Sequence, residues 1–258
     1  MADRSIVKTP IGHTAWVPKI WNGLRSFYGN YIWSDGTNIY YSYYNDQYVL
    51  DKSTSTWSDK AWNGFSGITG DFVWTDNTNI YYSGYNGIKQ YVLDKSTDTW
   101  NPKAWNKSID GRYIWSDGTD IYYSAALDQY VLDKSTGTWN TKTWNGFGNI
   151  IYGNRVWTDG TNIYYSCGLN QYVLDISTGT WNTKTWNGLS YIDAYFIWTD
   201  GTNIYYGYDS DQYVLDISTS TWIPKAWNGL SNVDARFIWS DGTDTYFSSG
   251  STHYVLVE

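Results

Sequence analysis

The 18 tryptophans of this 258-residue chain fall into three sets of six, with none left over. Trp33, Trp74, Trp115, Trp157, Trp198 and Trp239 stand in the phrase Ile/Val-Trp-Ser/Thr-Asp. Trp16, Trp57, Trp100, Trp139, Trp181 and Trp222 follow Thr or Ala, and Trp21, Trp62, Trp105, Trp144, Trp186 and Trp227 each precede Asn. Successive members of the first set lie 41, 41, 42, 41 and 41 residues apart. Such a period suits one four-stranded propeller blade rather than a helical repeat.

One unit, residues 31–57, reads YIWSDGTNIYYSYYNDQYVLDKSTSTW. It parses into four strands rich in Tyr, Ile, Val, Trp and Thr, the residues of a pleated, buried surface. Asp35-Gly36 predicts a two-residue hairpin with φ > 0 at both positions. A variable loop of four residues, six in the second copy (84–89), leads to QYVLD, and a Ser/Thr turn leads to the fourth strand. No segment has a helical period. Aromatics make up 20% of the chain while Met and Cys occur once each, so the core is built from Trp, Tyr and aliphatics, with Cys167 as a small filler.

The ends complement each other. TAWVPKIWNG (14–23) is a fourth strand without the first three, and HYVLVE (253–258) is a third strand without a fourth. The expected fold is therefore all-β: a six-bladed β-propeller of four-stranded antiparallel blades, closed by residues 14–18 pairing with 253–257 and so completing the last blade. Closure of this kind leaves no open edge for aggregation. The whole chain, 1–258, reads as a single propeller, with residues 1–11 as a leader.

QYVLDKSTSTW and its copies resemble the third and fourth strands of a kelch repeat, in which a Tyr, an Asp turn and a Trp recur in that order. Trp- and Tyr-rich arrays of this wording are also similar to kelch-like proteins of bacteria and their phages. The resemblance covers residues 14–258. The family's double glycine after the second strand is absent, replaced by Tyr41-Ser42 and its copies, or by Tyr206-Gly207. The resemblance implies that the first strand lines a central channel. It also places the loops between blades on one face with the loops joining second and third strands, and the two tight turns on the other.

Several function classes are disfavoured. A net charge of −8 repels a phosphate backbone, so nucleic acid is not an expected partner. No stretch approaches the ~18 apolar residues of a membrane-spanning helix, and MADRSIVKTPIGHTAW lacks the apolar core of a signal peptide. The expectation is a soluble monomer, cytoplasmic or virion-associated. A sialidase needs an arginine cluster and a Glu–Tyr pair, yet the sole Glu is Glu258. There is no GxSxG, and His13 and His253 sit on the two end strands. No cofactor or metal site is expected. The turn carboxylates Asp35, Asp76, Asp117, Asp159, Asp200 and Asp241 suit turn chemistry better than a cation ring, and no calcium-loop or zinc spacing occurs.

Positions that differ among copies are free to specialise. Three residues before each first-set Trp stand Asn30, Asp71, Arg112, Asn154, Tyr195 and Arg236. Two residues further back stand Tyr28, Thr69, Asp110, Tyr152, Asp193 and Asp234. They are expected to ring the channel mouth, with Arg155 beside them and Tyr44 and Tyr85 on the neighbouring loops. Guanidinium forks, amides and amphipathic rings make a polar recognition surface; ordinary solvated loops are the alternative. The six Trp-Asn pairs fit wedges between blades better than sugar platforms. The leading expectation is a non-catalytic module binding a protein or glycan on the variable face. The alternatives are a structural component of a bacterial surface or phage tail and, less favoured, a glycan-acting enzyme.

Overall fold

The computed structural model describes residues 15–146, 151–230 and 232–257. Six antiparallel sheets of four blade strands form the six blades, four of them extended by a two-residue strand from the segment entering the next blade. In the first blade the strands run Ile32–Ser34, Ile39–Tyr44, Asp46–Asp51 and Thr56–Asp59, in spatial order. The sixth is composite. Ala15–Pro18 pairs antiparallel with Thr252–Val257, in the register Ala15 to Val257, Trp16 to Leu256, Val17 to Val255 and Pro18 to Tyr254. The pairing expected of residues 15–18 is present; residue 14 and the expected leader 1–11 lie outside the described residues.

All 18 tryptophans meet in six triads, one member from each set, wedged between neighbouring blades. Trp33 of the first blade meets Trp62 of the connecting segment and Trp100 of the second, with ring centroids 5.8 and 5.9 Å away. Edge-on and offset arrangements at this spacing add to the area buried. The seam closing the ring uses the N-terminal strand: Trp16, 1% exposed, completes the triad of Trp198 and Trp227.

The Trp-Asn tryptophans are wedges. A lysine two residues earlier lies 4.4–4.8 Å over each of their rings, as Lys60 does on Trp62, so those faces are covered. The neighbouring Asn ties blades together: Asn22 N–H donates to Ser55 O, and Trp57 N–H donates to Asn22 O at 2.9 Å. This backbone link requires glycine next, because Gly23 has φ +81° and a Cβ there would lie 1.9 Å from Trp57 O. The same backbone pairing flanks the outer strand and blunts its edge.

Two local expectations are corrected. Asp35 does not have φ > 0; only Gly36 does, at +88°. The turn spans four residues because the Asp35 carboxylate accepts from the N–H groups of Thr37 and Asn38 at 2.8 and 2.7 Å, and from the Tyr40 hydroxyl at 2.9 Å. The loop after the second strand of the first blade is a tight turn rather than a four-residue loop. Tyr43 pairs with Asp46, leaving Tyr44 at φ +52° and Asn45 at the tip.

Candidate ligand-binding site

Before each first strand the chain makes a three-residue 3-10 turn: Gly29–Tyr31, Gly70–Phe72, Gly111–Tyr113, Gly153–Arg155, Ala194–Phe196 and Ala235–Phe237. Each turn touches the next, and the last touches the first, so the six form a closed ring about the propeller axis. The ring is tight because each turn begins with a small residue. A Cβ on Gly70 would lie 2.2 Å from Tyr31 O, and one on Gly153 would lie 2.0 Å from Tyr113 O. This Gly/Ala, four residues before the Trp in every copy, is a legible sequence signal that the motif reading passed over.

Asn30, Asp71, Arg112, Asn154, Tyr195 and Arg236 are the central residues of the six turns and therefore stand around the ring. Arg155 ends its turn. Tyr44 and Tyr85, each 61% exposed, stand on the hairpins outside it. The ring gathers these residues into three groups, not one pocket.

In the first group the Arg112 guanidinium forks onto Asp110, with Nε to Oδ1 at 3.2 Å and Nη2 to Oδ2 at 2.9 Å. It lies 4.9 Å from the Phe72 ring and 5.1 Å from Tyr85. Asp110 also caps its turn by accepting from Arg112 N–H, and is only 2% exposed. Burial pushes the Asp71 carboxyl up to about 6, against the opposing pull of Arg112; one of its oxygens is buried without a hydrogen-bond partner.

In the second group Arg155 bonds Asp193 of the next blade and lies 4.5 Å over the Tyr195 ring, while the Asn154 amide donates to the Tyr195 hydroxyl. Burial raises the Tyr195 phenol, with the two nearby cations Arg155 and Arg112 opposing.

In the third group Arg236 forks onto Asp234, Nη2 to Oδ2 at 2.6 Å, and lies 5.5 Å from Phe196. Here Asn30 and Arg236 share a cleft of about 500 Å³ with Tyr28, Tyr31, Tyr43, Asp46 and Phe237. Tyr43 bridges outward, 4.4 Å from Tyr31 and 4.9 Å from Tyr44. The cleft sits at the junction of the composite sixth blade with the first, since Tyr28 pairs with Ser249. Asp110, Asp193 and Asp234, expected around the channel mouth, are turn caps and arginine partners, because their short carboxylates reach the N–H two residues on.

The opposite face is uniform and internally satisfied. Asp51 accepts from Ser53 N–H and both neighbouring hydroxyls at 2.7–2.9 Å. Lys95 reaches across to Asp35 O of the neighbouring blade. Among the described residues no cluster of three or more His, Cys, Asp or Glu side chains is placed to hold a metal ion. No helix among them is long and apolar enough to cross a membrane.

The fold is similar to those of solved extracellular domains from B. thetaiotaomicron. That of BT4673, described as a hybrid two component system, matches with a TM-score of 0.58 at 11% identity, covering 94% of this chain and 39% of that one. Another structure of BT4673, described as a one component system, gives 0.54 at 7%, covering 91% and 43%. The BT3049 domain, described as a hybrid two component system, gives 0.52 at 14%, covering 87% and 33%. This chain thus spans less than half the length of each. At such identities the likeness is one of fold alone. No protein-family model matches the chain, and no curated protein matches it.

Proposed function

We propose that this propeller is a non-catalytic recognition module that binds a protein or a glycan on the face carrying the ring of turns. One observation carries the reading: the turn centres hold Asn, Asp, Arg, Asn, Tyr and Arg on one face, while the opposite turns are near-copies whose polar groups are spent on one another. A repeat kept uniform where it is structural and varied where it is exposed is the pattern of a scaffold carrying a site. Contact centres on the cleft of Asn30 and Arg236, flanked by Asp71, Arg112, Asn154, Arg155 and Tyr195, with Tyr44 and Tyr85 on the rim. Aromatic rings with few polar groups converging in a concave site favour binding. The forked arginines favour rigid presentation, since each is already held by an aspartate.

The neighbouring structures are extracellular domains, which supports a role outside the cell rather than in the cytoplasm. We read the blade as a variant of the kelch repeat in which Tyr-Ser replaces the double glycine. Ser42 Oγ accepts from the buried Trp33 Nε1 at 2.9 Å, a bond glycine cannot make.

Partner capture and glycan-array binding by the intact chain test the reading, with Asn30→Ala/Arg236→Ala and Arg112→Ala as variants. Binding is expected to fall by about tenfold or more for the cleft pair, as for a central contact. Binding of every captured partner unchanged in both variants would reject this face.

A further inference from the structure

Two departures from the repeat meet at one place on the propeller rim. The second blade carries the longest hairpin, residues 84–89, and the segment entering the third blade reads Trp105-Asn106-Lys107 where the other five read Trp-Asn-Gly. The insertion docks on that segment: Gln90 Nε2 donates to Lys107 O at 3.3 Å, and a Cβ on Gly87 would lie 2.4 Å from Ile109 N. The five glycines have φ between +74° and +84° and approach the next blade so closely that a Cβ would sit 1.9–2.4 Å from a Trp carbonyl oxygen. Lysine cannot take that path. The Asn106 side chain makes the link instead, accepting from Trp139 N–H at 2.9 Å and donating to Trp139 O at 3.0 Å.

The result is a groove of about 390 Å³ whose lining includes Lys89, Lys103 and Lys107 and no carboxylate. None of the three forms an ion pair among the described residues. Three of the lysines equivalent to Lys103 are occupied: Lys60 pairs with Asp98, and Lys19 and Lys184 bond Ser55 and Ser220, while Lys142 has Gly179 at its partner position. At Lys103 the partner position is Gly137. Each ammonium is nonetheless positioned, by Phe65 at 4.9 Å from Lys89, Trp105 at 4.4 Å from Lys103 and Tyr130 at 5.1 Å from Lys107. The groove lining is thus positive on a chain whose net charge is −8.

We propose that this groove binds a small, multiply charged anion bearing phosphate, sulfate or carboxylate groups. Lys89, Lys103 and Lys107 supply the charge, and the half-buried Trp105 supplies an apolar wall. The size sits at the small end of ligand clefts. The field of the three lysines decays over roughly 8–10 Å at physiological salt. A small ligand lies wholly within that range, whereas a nucleic acid would extend onto negative surface. The groove shares no lining residue with the cleft of Asn30 and Arg236, and in the insertion Tyr85 stands against Arg112 while Lys89 lines the groove.

Titration calorimetry of the full chain against pyrophosphate, citrate and a disulfated disaccharide, with an uncharged disaccharide as control, tests this. At least one anion is expected to bind saturably, more weakly at higher salt, and the uncharged sugar not at all; which anion binds identifies the charged group. Lys103→Gln and Lys107→Gln are each expected to weaken binding about tenfold, the scale of a lost charge-assisted contact. Lys95→Gln on the opposite face is expected to change nothing, and unfolding midpoints confirm that each variant folds. The proposal is overturned if no anion binds the parent chain. It is equally overturned if binding survives the triple Lys89, Lys103 and Lys107→Gln variant, or falls as much with Lys95→Gln.

Discussion

The indole of Trp16 lies 5.9 Å from that of Trp198, 182 residues away in sequence, and both are buried. The contact makes the first described strand part of the seam between the fifth and sixth blades as well as the outer strand of the sixth. Trp16→Ala is expected to destabilise the protein by about 3–5 kcal/mol, the range for emptying a large aromatic site. A urea unfolding curve checks it, and a loss below about 1 kcal/mol would show that ring closure carries little stability.

Trp198 departs from its five equivalents. The others donate their indole N–H to a serine, as Trp157 does to Ser166 at 2.8 Å, but the fifth blade has Gly207 there, and Trp198 Nε1 is buried without a partner. Gly207→Ser is expected to stabilise by about 1 kcal/mol through one restored bond. A new Cβ would lie 2.9 Å from Gln212 Oε1, which accepts from Trp227 Nε1 at 3.2 Å, and 3.0 Å from Val233 O, so both must give by a few tenths of an ångström. Thermal unfolding of this variant beside Ser42→Gly should give opposite signs.

Asp71 titrates in the neutral range because burial disfavours its charge. Its folded pKa, about 6, exceeds the ordinary 3.8. The folded state therefore holds the proton more tightly, and stability falls as pH rises from about 4 through 6. Asp71→Asn is expected to be more stable than the parent at pH 8 by roughly 2 kcal/mol, with little difference at pH 4. Parallel pH series of denaturant midpoints read the crossover; curves of equal separation at every pH would contradict it.

His253 stands where the other third strands carry Gln. It stacks on Phe27 at 4.4 Å, and its Nδ1 is buried without a partner. Gln171, at the equivalent place, donates to both Gly168 O and Ile192 O, at 2.6 and 3.0 Å. Burial lowers the His253 pKa below 6.5, so its neutral form favours folding above that pH, and this stability is lost as pH falls through the folded value. His253→Gln is expected to remove this acid sensitivity and raise stability at pH 5.5 by about 1 kcal/mol. Melting temperatures at pH 5.5 and 8 measure it.

Much of the architecture was legible because it is local and repeated. Three tryptophan sets at one period imply blades, and complementary end strands imply closure. The Asp35-Gly36 turn was misread because the dipeptide suits a two-residue hairpin, while the Asp35 carboxylate and the Tyr40 hydroxyl stabilise a four-residue one. The central turn residues stand around the ring because each copy puts them at the same distance from its tryptophan. Their grouping was not legible. Arg155 meets Asp193 and Asn154 meets Tyr195 across a blade boundary, and Arg112 turns to its own Asp110.

By itself, the sequence determined the number of blades, their four strands and the strand that joins the ends, because period and hydrophobic alternation act within a single repeat. Tertiary structure alone decided that the variable residues form three groups, that the cleft lies between Asn30 and Arg236, and that Lys89, Lys103 and Lys107 share a groove. Those outcomes depend on how closely one turn packs on the next and on which carboxylate reaches which guanidinium. Such distances arise between repeats, where sequence spacing carries no information.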